Sequence, residues 1–333
     1  MKPTLPVPEA ADLVSVVIPT RNRWPLLSRA LASVLAQEGV ALEVLVVDDG
    51  STDATADLGA EADERITYLR NDPALGVARA RNRGIQEARG KWVAFLDDDD
   101  FWAPTKLRSQ LLACAAEGAV FSYTGLVSVD PTLSRRKVSL PARSAGLERR
   151  LLAMNAIGSP SSVMVQRSVL EEVGGFDPAF SVLADWDLYI RIAASGKGAL
   201  CEAPLTAYLN HATNMHLNAD SALEEFRRLR VKHEALARSA GVTVGGKAWW
   251  EWLASALRRS GHRFRGAALF LWVAIRFGHP SSVARATGTL AGDKLSRGAR
   301  KIWPSRTEQP DGSLPEANWV DAFVEERRSA SRR

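Results

Sequence analysis

The chain is organised around one short stretch, Trp92-Val93-Ala94-Phe95-Leu96-Asp97-Asp98-Asp99-Asp100-Phe101-Trp102. Five apolar residues lead into four consecutive carboxylates, which we call the acidic run, and two aromatic residues follow. Four adjacent like charges repel where water is partly excluded, and a raised pKa or a bound cation relieves that repulsion. Because the apolar residues predict a buried strand, we interpret the acidic run as a divalent-metal site at a strand end. A helix N-terminus before Pro104 accounts for one or two of the acids, not for four.

The composition is that of an ordinary globular protein, with 46% apolar and 24% charged residues in a chain of 333. This length allows one large domain, or a domain of about 200 to 250 residues with a helical extension. Cys114 and Cys201 are far apart and lack metal-ligand spacing, which predicts free thiols in a reducing compartment. Residues 1–13 lack the apolar segment of a signal peptide, and the longest apolar run, 267–275, is too short to span a bilayer.

The net charge of +5 is unevenly distributed along the chain. Residues 227–306 contain 17 Lys and Arg against three acids, a net charge of +14. Such a basic region indicates a polyanionic partner, either a membrane surface or a nucleic acid. We expect no nucleic acid, because the basic residues do not alternate with aromatic residues in the way that base stacking requires.

The first hundred residues alternate between predicted strands and helices. Buried parallel strands are predicted at 13–18 and 43–47, with an amphipathic helix over 24–37 between them. A third strand, a third helix and the strand before the acidic run follow. Polar clusters come directly after these strands: Thr20-Arg21-Asn22, Asp48-Asp49 and the acidic run. Because carboxyl ends of parallel strands share one edge of a sheet, we expect the three clusters to form one ligand site.

Beyond the acidic run the pattern is more mixed. Residues 120–123 and 126–129 are predicted to form a hairpin around Gly125. Asp185 opens a predicted helix, where it is either an acid favoured by the helix dipole or a general base. Asp187 and Arg191, four residues apart, are expected to form an exposed ion pair. His211 and His216 are either structural or supply a nitrogen ligand or a phosphate contact.

The last third of the chain is helical, basic and rich in tryptophan, including Trp249, Trp250 and Trp252. Tryptophan and phenylalanine beside arginine on helices are typical of an interfacial membrane segment. They are equally typical of a small helical core with a solvated basic rim, and the sequence leaves both interpretations open. Residues 305–333 are polar and predict a flexible tail.

Five groups of residues resemble the motifs of one family, in the family's order and over roughly the first 220 residues. They are Ser15–Arg23, Val47–Asp53, Ala80–Gly84 with Gly90-Lys91-Trp92, Leu96–Asp100, and Gly174–Asp177 with Asp185–Leu188. Together they resemble the family 2 glycosyltransferases of the GT-A fold, which include many bacterial polysaccharide-building enzymes. One departure is Ala184, which stands where the family often has Glu before the catalytic helix.

The resemblance implies an α/β fold of GT-A type, a Rossmann-like, mostly parallel sheet flanked by helices, with a C-terminal helical extension. The implied glycosyltransferase domain is 1–220, with a nucleotide-sugar half at about 13–105 and an acceptor half at about 106–220. The basic, tryptophan-rich extension is then 221–304, and the flexible tail is 305–333.

The resemblance also implies roles for individual residues. Asp185 is the implied catalytic base. The implied nucleotide-sugar-binding residues are Pro19, Thr20, Arg21, Asp49, Arg81, Asp97 and Asp98. The implied metal ligands are Asp99 with support from Asp97, and His211 as a further candidate, while Asp100 is expected to orient the loop or start the next helix. The implied acceptor side comprises Gly175, Trp186 and Asp187.

The expected function is therefore inverting sugar transfer from a nucleotide-diphosphate sugar to a hydroxyl of a glycan or lipid-linked acceptor, in polysaccharide or cell-envelope biosynthesis. The resemblance implies a divalent cation, Mn²⁺ or Mg²⁺, and a donor of UDP-, dTDP- or GDP-sugar type. We expect a cytoplasmic protein, peripheral at the inner face of the cytoplasmic membrane. The alternatives are a nucleotidyltransferase acting on sugar phosphates and a catalytically silent, transferase-like membrane adaptor.

Overall fold

The computed structural model describes residues 12–56, 63–134, 136–140, 142–211, 218–291 and 317–330. The strands are β1 (Val14–Thr20), β2 (Leu42–Asp48), β3 (Ile66–Arg70), β4 (Trp92–Phe95), β5 (Phe101–Trp102), β6 (Phe121–Val129), β7 (Arg136–Ser139), β8 (Val163–Gln166) and β9 (Gly198–Leu209). The helices are α1 (Trp24–Leu35), α2 (Val77–Glu87), α3 (Lys106–Glu117), α4 (Leu147–Ala153), α5 (Arg167–Val173), α6 (Ala184–Ser195), α7 (Ala219–Lys232), α8 (Glu234–Ser239), α9 (Lys247–Arg259), α10 (Arg263–Phe277), α11 (Pro280–Ala291) and α12 (Trp319–Ala330).

The described strands form one sheet in the order β3-β2-β1-β4-β8-β6-β9-β5, with β7 paired to β6. The first four strands in this order, β3, β2, β1 and β4, are parallel. β8 runs antiparallel to both β4 and β6, whereas β6 and β9 are parallel. The predicted Rossmann-like sheet flanked by helices is confirmed, and the antiparallel pairs lie in its second half.

The core of the parallel half explains why these strands read as continuous apolar runs. Every residue of β1 and β2 is buried. α1 places Leu27, Leu31 and Val34 in the same hydrophobic cluster as the apolar side chains of β1, β2 and β4. Strands buried on both faces lose the alternation of polar and apolar residues that marks a half-exposed sheet.

The predicted hairpin around Gly125 is wrong, because 121–129 form one continuous strand, β6. Gly125 lies at a register shift where β6 pairs with β9. A Cβ atom at this position would lie 3.0 Å from the Cα atom of Pro204 and 2.9 Å from a methyl group of Leu140. The glycine therefore allows a close approach of backbones and does not make a turn.

The chain divides into two compact units. The first contains the described residues within 1–147, 157–210 and 313–333, and the second contains those within 148–156 and 211–312. This division differs from the predicted boundaries in three places, because 148–156 and the described residues of 211–220 belong to the second unit and 317–330 to the first. In the second unit, Glu251 of α9 pairs with Arg285 of α11 at 3.1 Å, and Trp249 of α9 stacks on Phe226 of α7 at 4.5 Å.

Residues 317–330, which the sequence places in a flexible tail, are instead largely helical, as α12. Ala317 and Val320 are buried with Phe101, Val127 and Leu209 in one hydrophobic cluster of the first unit. The polar composition of the tail hides this short apolar face, which is why the prediction fails for these residues. Within the described residues, no helix combines the length and apolar composition needed to cross a bilayer.

Candidate active site

The polar clusters that follow β1, β2 and β4 lie at one edge of the sheet. Thr20 pairs with Asp48 in the register of β1 and β2, and Leu96 donates its backbone N–H to the carbonyl of Val17 at 3.1 Å. The side chain of Thr20 crosses to the acidic run and donates to Oδ2 of Asp98 at 2.8 Å. The structure thus brings together the residues that the sequence analysis expected to share a ligand site.

Two arginines bind the side chains of the acidic run. Nη1 of Arg23 lies 3.1 Å from Oδ1 of Asp98 and 3.0 Å from Oδ2 of Asp99. Nη2 of Arg81 lies 2.5 Å from Oδ1 of Asp97. Sequence reasoning named Arg81 as a site residue but missed Arg23, although Arg23 closes the first family motif. Only the fold shows that Arg23 reaches acids 75 and 76 residues away.

The crowding of the acidic run is visible in its protonation. Burial and the negative charge of Asp99 raise the pKa of Asp98 to about 7, although Arg23 and Thr20 oppose the shift. Burial, together with the charges of Asp99 and Asp97, also raises the pKa of Asp100 well above its usual value. The arginines therefore do not fully offset the repulsion among these carboxylates.

Asp100 is directed into the fold and is fully buried. Its Oδ1 accepts the backbone N–H of Leu209 at the end of β9, at 3.1 Å. Ser159 donates to its Oδ2 at 3.4 Å. The side chain thus anchors the acidic run to the neighbouring strand, in agreement with its expected role in orienting the loop.

The remaining carboxylates fit a hard divalent cation. Mg²⁺ and related ions prefer oxygen ligands and are often held by one or two carboxylates together with substrate phosphates. Asp97 and Asp99 are two residues apart in the sequence, and their side chains are 27% and 10% exposed to solvent. In the described part of the chain, no three His, Cys, Asp or Glu side chains converge into an all-protein cage. The donor set thus suits an ion shared with a phosphate ligand.

His211, the further candidate ligand, follows β9 by two residues and belongs to the second unit, so its role stays a prediction. His216 lies outside the described residues. Pro19 and Thr20 are the last two residues of β1, and Arg21 follows them on the exposed side of the site edge.

Asp49 holds the segment that joins β3 to α2. Its Oδ1 accepts from the side-chain amide of Asn71 at 2.9 Å and from the backbone N–H of Leu75 at 2.7 Å. Its Oδ2 accepts from the N–H of Gly76 at 2.8 Å. Burial alone would raise the pKa of Asp49, but these hydrogen bonds and the charge of Arg21 outweigh it and lower the pKa. Asp49 is therefore an ionised carboxylate that shapes this edge of the site.

Asp185 lies in the first turn of α6, and its Oδ1 accepts the backbone N–H of Trp186 at 2.7 Å. Its charge, together with that of Asp97, stabilises the protonated form of the buried Arg81. The position agrees with the helix-dipole interpretation and also with the base interpretation. The structure therefore connects Asp185 electrostatically to the acidic run through one guanidinium group.

Asp187 differs from expectation, because its ion pair with Arg191 is buried. The two side chains are 0% and 18% exposed, and their N–O distance is 2.6 Å. Nη1 of Arg191 also donates to the carbonyl of Val173 at 2.7 Å, which joins α6 to the end of α5. Trp186 is buried as well. The predicted acceptor-side roles of Trp186 and Asp187 stay predictions, while Asp187 holds the arginine that joins α6 to α5.

Gly175 lies in a turn that α2 holds in place. Its φ is +65°, and a Cβ atom here would lie 2.5 Å from Oδ1 of Asn82. Asn82 accepts the N–H of Phe176 and donates to its carbonyl, both at 2.7 Å. The Phe176 ring lies under the guanidinium of Arg81, 5.1 Å from its centre. Sequence reasoning missed Asn82, although two quoted motifs contain these partners.

A second group that sequence reasoning missed covers Phe101, directly after the acidic run. Phe323 of α12 stacks on its ring at 4.7 Å, and Trp319 meets it edge-on at 5.8 Å. The guanidinium of Arg29 lies 5.4 Å from the same ring and donates to the backbone carbonyl of Asp99 at 3.0 Å. α12 is therefore part of the packing that supports the acidic run.

Comparison with known proteins identifies the family of this chain. Residues 15–174 match the profile of glycosyl transferase family 2. The succinoglycan biosynthesis protein ExoO of Rhizobium meliloti is 31% identical over 240 residues, which cover 68% of each chain. The chain belongs to glycosyltransferase family 2 and is a glycosyltransferase.

A second relative is the Escherichia coli enzyme WfaP, named a UDP-Glc:alpha-D-GlcNAc-diphosphoundecaprenol beta-1,3-glucosyltransferase. It is 36% identical over 114 residues, which cover 34% of this chain and 45% of that protein. The chain thus spans about half the length of this relative.

Two solved structures share the fold. TarS 1-349 of S. aureus in complex with UDP has a TM-score of 0.51 and 16% identity, covering 90% of this chain and 95% of that one. The mannosyltransferase PcManGT of Pyrobaculum calidifontis, in complex with GDP-Man and Mn²⁺, has a TM-score of 0.50 and 19% identity, covering 99% and 85%. At these identities the likeness shows the fold alone.

Proposed function

We propose that this chain is an inverting glycosyltransferase that moves a sugar from a nucleotide-diphosphate donor to a hydroxyl of a lipid-linked glycan acceptor. The observation that carries the proposal is the connection of the acidic run to Asp185 through Arg81. The acidic run suits a divalent cation that binds the diphosphate leaving group. Asp185 suits the role of proton acceptor. Membership of family 2 establishes glycosyl transfer as the reaction class, and the donor, the acceptor and the residue roles are proposed.

On the donor side, Asp99 and Asp97 would hold a divalent ion. When bound, such an ion neutralises the diphosphate and makes it a better leaving group. Arg23 donates to both Asp98 and Asp99, so its positive charge reduces the repulsion between these two carboxylates. Mn²⁺ and Mg²⁺ are both supported by this oxygen donor set, and Mn²⁺ accompanies GDP-Man in the fold relative PcManGT.

The nucleotide would lie along the edge formed by the ends of β1 and β2. Pro19, Thr20 and Arg21 border this edge beside the acidic run. Asp49 is ionised and lies at the same edge, where it is the proposed partner of the nucleotide base. A UDP-sugar is the proposed donor, because the relative WfaP is named for UDP-Glc.

On the acceptor side, Asp185 is the proposed general base. A sugar hydroxyl is a weak nucleophile, so a carboxylate within hydrogen-bond reach must take its proton as the new bond forms. The guanidinium of Arg81 binds Asp97, and the charge of Asp185 contributes to the raised pKa of the same arginine. The acceptor attacks the anomeric carbon from the face opposite the diphosphate, so one displacement inverts its configuration.

The proposed acceptor is a lipid-linked glycan. Two relatives support it by name: ExoO through succinoglycan biosynthesis and WfaP through a diphosphoundecaprenol acceptor. Gly175 and Trp186 are proposed to border the acceptor. Gly175 precedes Phe176, whose ring lies under Arg81, and Trp186 follows Asp185, whose charge acts on the same arginine.

The test is a turnover assay with a panel of UDP-, dTDP- and GDP-sugars and lipid-linked acceptors, with and without chelator. We expect release of nucleoside diphosphate that requires Mn²⁺ or Mg²⁺, and a product of inverted anomeric configuration by NMR. Asp99→Asn and Asp185→Asn should each lower turnover about 10²-fold or more. Glu172→Gln, which changes an exposed acid of α5, should not lower it.

Each alternative predicts a different result in the same assay. Pyrophosphate release would identify a nucleotidyltransferase, although the segment from Thr20 to Arg23 lacks the glycines of a phosphate-binding loop. A retained anomeric configuration would exclude the single displacement. Turnover that persists in both Asp variants would overturn the site assignment, and the absence of turnover with every donor would favour the silent adaptor.

A further inference from the structure

α10 carries a row of large apolar side chains that are open to solvent. Phe264, Leu271 and Ile275 are 69%, 48% and 78% exposed, and Trp272 is 43% exposed. Positions 264, 271, 272 and 275 recur at the spacing of one helical face. We call these four residues the α10 apolar face. Exposed large apolar residues that are grouped, not scattered, mark an interaction surface.

The core of the second unit does not account for Phe264, Leu271 and Ile275, because α10 has a separate buried side. Trp272 is partly covered, since its ring meets that of Trp250 of α9 edge-on at 5.2 Å. Gly266, Ala267, Phe270, Val273 and Ala274 are buried. At Gly266 the backbones approach so closely that a Cβ atom would lie 2.8 Å from the carbonyl oxygen of Ala254. The helix thus packs into its bundle on one side and presents a second apolar side outward. The buried side agrees with the helical-core interpretation of the tryptophan-rich region, whereas the membrane interpretation stays a prediction.

Basic residues border the α10 apolar face. Arg263 and Arg276 lie near its two ends, and each places its guanidinium over an adjacent phenylalanine ring, at 5.1 and 5.4 Å. Between residues 227 and 291 the chain has 12 Lys and Arg against two acids. α11 also carries exposed apolar side chains, Val283 and Leu290, which are 42% and 49% exposed.

We propose that the α10 apolar face docks on an anionic lipid surface. Phenylalanine, leucine and tryptophan would enter the boundary between headgroups and acyl chains, and the arginines would meet the lipid phosphates. α10 has 15 residues, fewer than the roughly 20 that a spanning helix needs, so it would lie in the plane of the surface.

A lipid surface fits better than a second copy of the chain. In a twofold dimer the same patch meets itself, so the arginines that border one copy would approach those of the other. An anionic headgroup layer removes this repulsion and attracts the basic residues near the surface. The charge of the patch therefore favours lipid.

The inference goes beyond the proposed transfer reaction and does not depend on it, because binding to vesicles needs no donor or acceptor. It would nevertheless place the enzyme at the surface where a lipid-linked acceptor resides. The Asp185→Asn variant should bind vesicles as wild type does, so a failure of the catalytic proposal and a failure of the docking proposal give different results.

The test is co-sedimentation of the full chain with vesicles of phosphatidylcholine alone and with 30 mol% phosphatidylglycerol (about one lipid in three, near the anionic content of many membranes). We expect binding to the anionic vesicles, reduced about tenfold or more in Leu271→Ser/Ile275→Ser and severalfold in Arg263→Gln/Arg276→Gln. Val231→Ser is the matched control, because Val231 of α7 is 77% exposed and lies outside the α10 apolar face. Circular dichroism checks that each variant is folded.

Three outcomes would overturn the proposal. The first is wild type that sediments no better with anionic vesicles than without vesicles. The second is a Leu271→Ser/Ile275→Ser variant that binds as tightly as wild type while the Val231→Ser control also binds normally. The third is a wild-type dimer in analytical ultracentrifugation that this double variant dissociates, which would assign the face to a second copy of the chain.

Discussion

Two arrangements of arginine and aspartate in the first unit use the same chemistry with a different balance of charge. Asp187 and Arg191 form a buried pair at 2.6 Å, in which one carboxylate meets one guanidinium. In the acidic run, Arg23 meets both Asp98 and Asp99, and the pKa of Asp98 is still raised to about 7 by burial and by the charge of Asp99. A balanced pair joins helices, whereas an excess of acid at a strand end leaves negative charge available for a cation or a ligand.

The largest expected effect is a loss of activity at Asp185, which lies two residues before the balanced pair and whose charge acts on Arg81 beside the acidic run. Asp185→Asn removes the proposed base but keeps a side chain of the same size, so we expect kcat to fall about 10²- to 10⁴-fold. The thermal unfolding midpoint should stay near that of wild type. Steady-state kinetics with the best donor of the panel, together with calorimetry, measure both quantities. A variant with normal kcat would remove Asp185 from the catalytic machinery.

The second effect breaks the balanced pair. Asp187→Asn leaves the guanidinium of Arg191 buried without its counter-charge, so we expect a loss of about 3 to 5 kcal/mol in the free energy of unfolding. The kcat of the folded fraction should change little. Urea unfolding at 25 °C measures the loss, and Glu171→Gln, which breaks an exposed pair with Arg167, serves as the control. If Asp187→Asn lowered kcat and kept full stability, Asp187 would have a role in turnover and not in holding the helices together.

The third effect concerns the support of the acidic run from α12. Phe323→Ala removes the ring that stacks on Phe101, and through Arg29 this loosens the backbone at Asp99. Changes in residues that position metal ligands typically weaken metal binding 10- to 100-fold, and we expect about tenfold in the apparent affinity for Mn²⁺.

Titration of turnover with Mn²⁺ measures this effect, and Glu325→Gln on the same helix is the control. Phe323→Leu, which keeps much of the packing, should restore most of the affinity. A Phe323→Ala variant that loses stability while binding Mn²⁺ normally would reduce α12 to a purely structural role.

The smallest expected effect uses a second paired acid, Glu43, which binds Arg89 at 2.7 Å. Burial alone would raise its pKa, but hydrogen bonds from Ser15 and Arg89 outweigh it and lower the pKa from the usual 4.5. A lowered folded-state pKa stabilises the protein above the unfolded value, and this contribution is lost as the pH falls through the folded value.

Glu43→Gln should therefore be less stable than wild type at pH 7, by about 1 kcal/mol, the usual net contribution of one intramolecular hydrogen bond. The difference should shrink as the pH falls below 4.5. Urea unfolding of both proteins between neutral and acidic pH measures it. A difference that does not change with pH would mean that packing, and not charge, explains the effect.

Much of the fold and part of the site follow from local sequence patterns. The strands β1, β2 and β4 are apolar runs that end in polar clusters. The acidic run is recognisable from the sequence alone, because its four aspartates are consecutive. Asp185 is conspicuous because it opens a helix within a recognisable motif. These features depend on neighbours in the sequence, which is why they could be predicted.

The parts that were missed depend on distant partners or on context. Asn82 holds Phe176 from 94 residues away, and Arg23 reaches the acidic run from 75 residues away. Gly125 resembles a turn glycine until the close approach of Pro204 is seen. The pair of Asp187 and Arg191 has the spacing of a surface pair, and only the packing of α5 against α6 shows that it is buried.

The stacking of Phe323 on Phe101 also has a consequence for the order of events during synthesis. At about 5 to 20 residues per second, roughly 220 further residues must be translated after Phe101, which takes roughly 10 to 45 s. During that interval Arg29 can already reach Phe101, but the aromatic cover from α12 does not yet exist. A nascent chain that stops before α12 would therefore carry every acid of the site and lack part of the support that holds them.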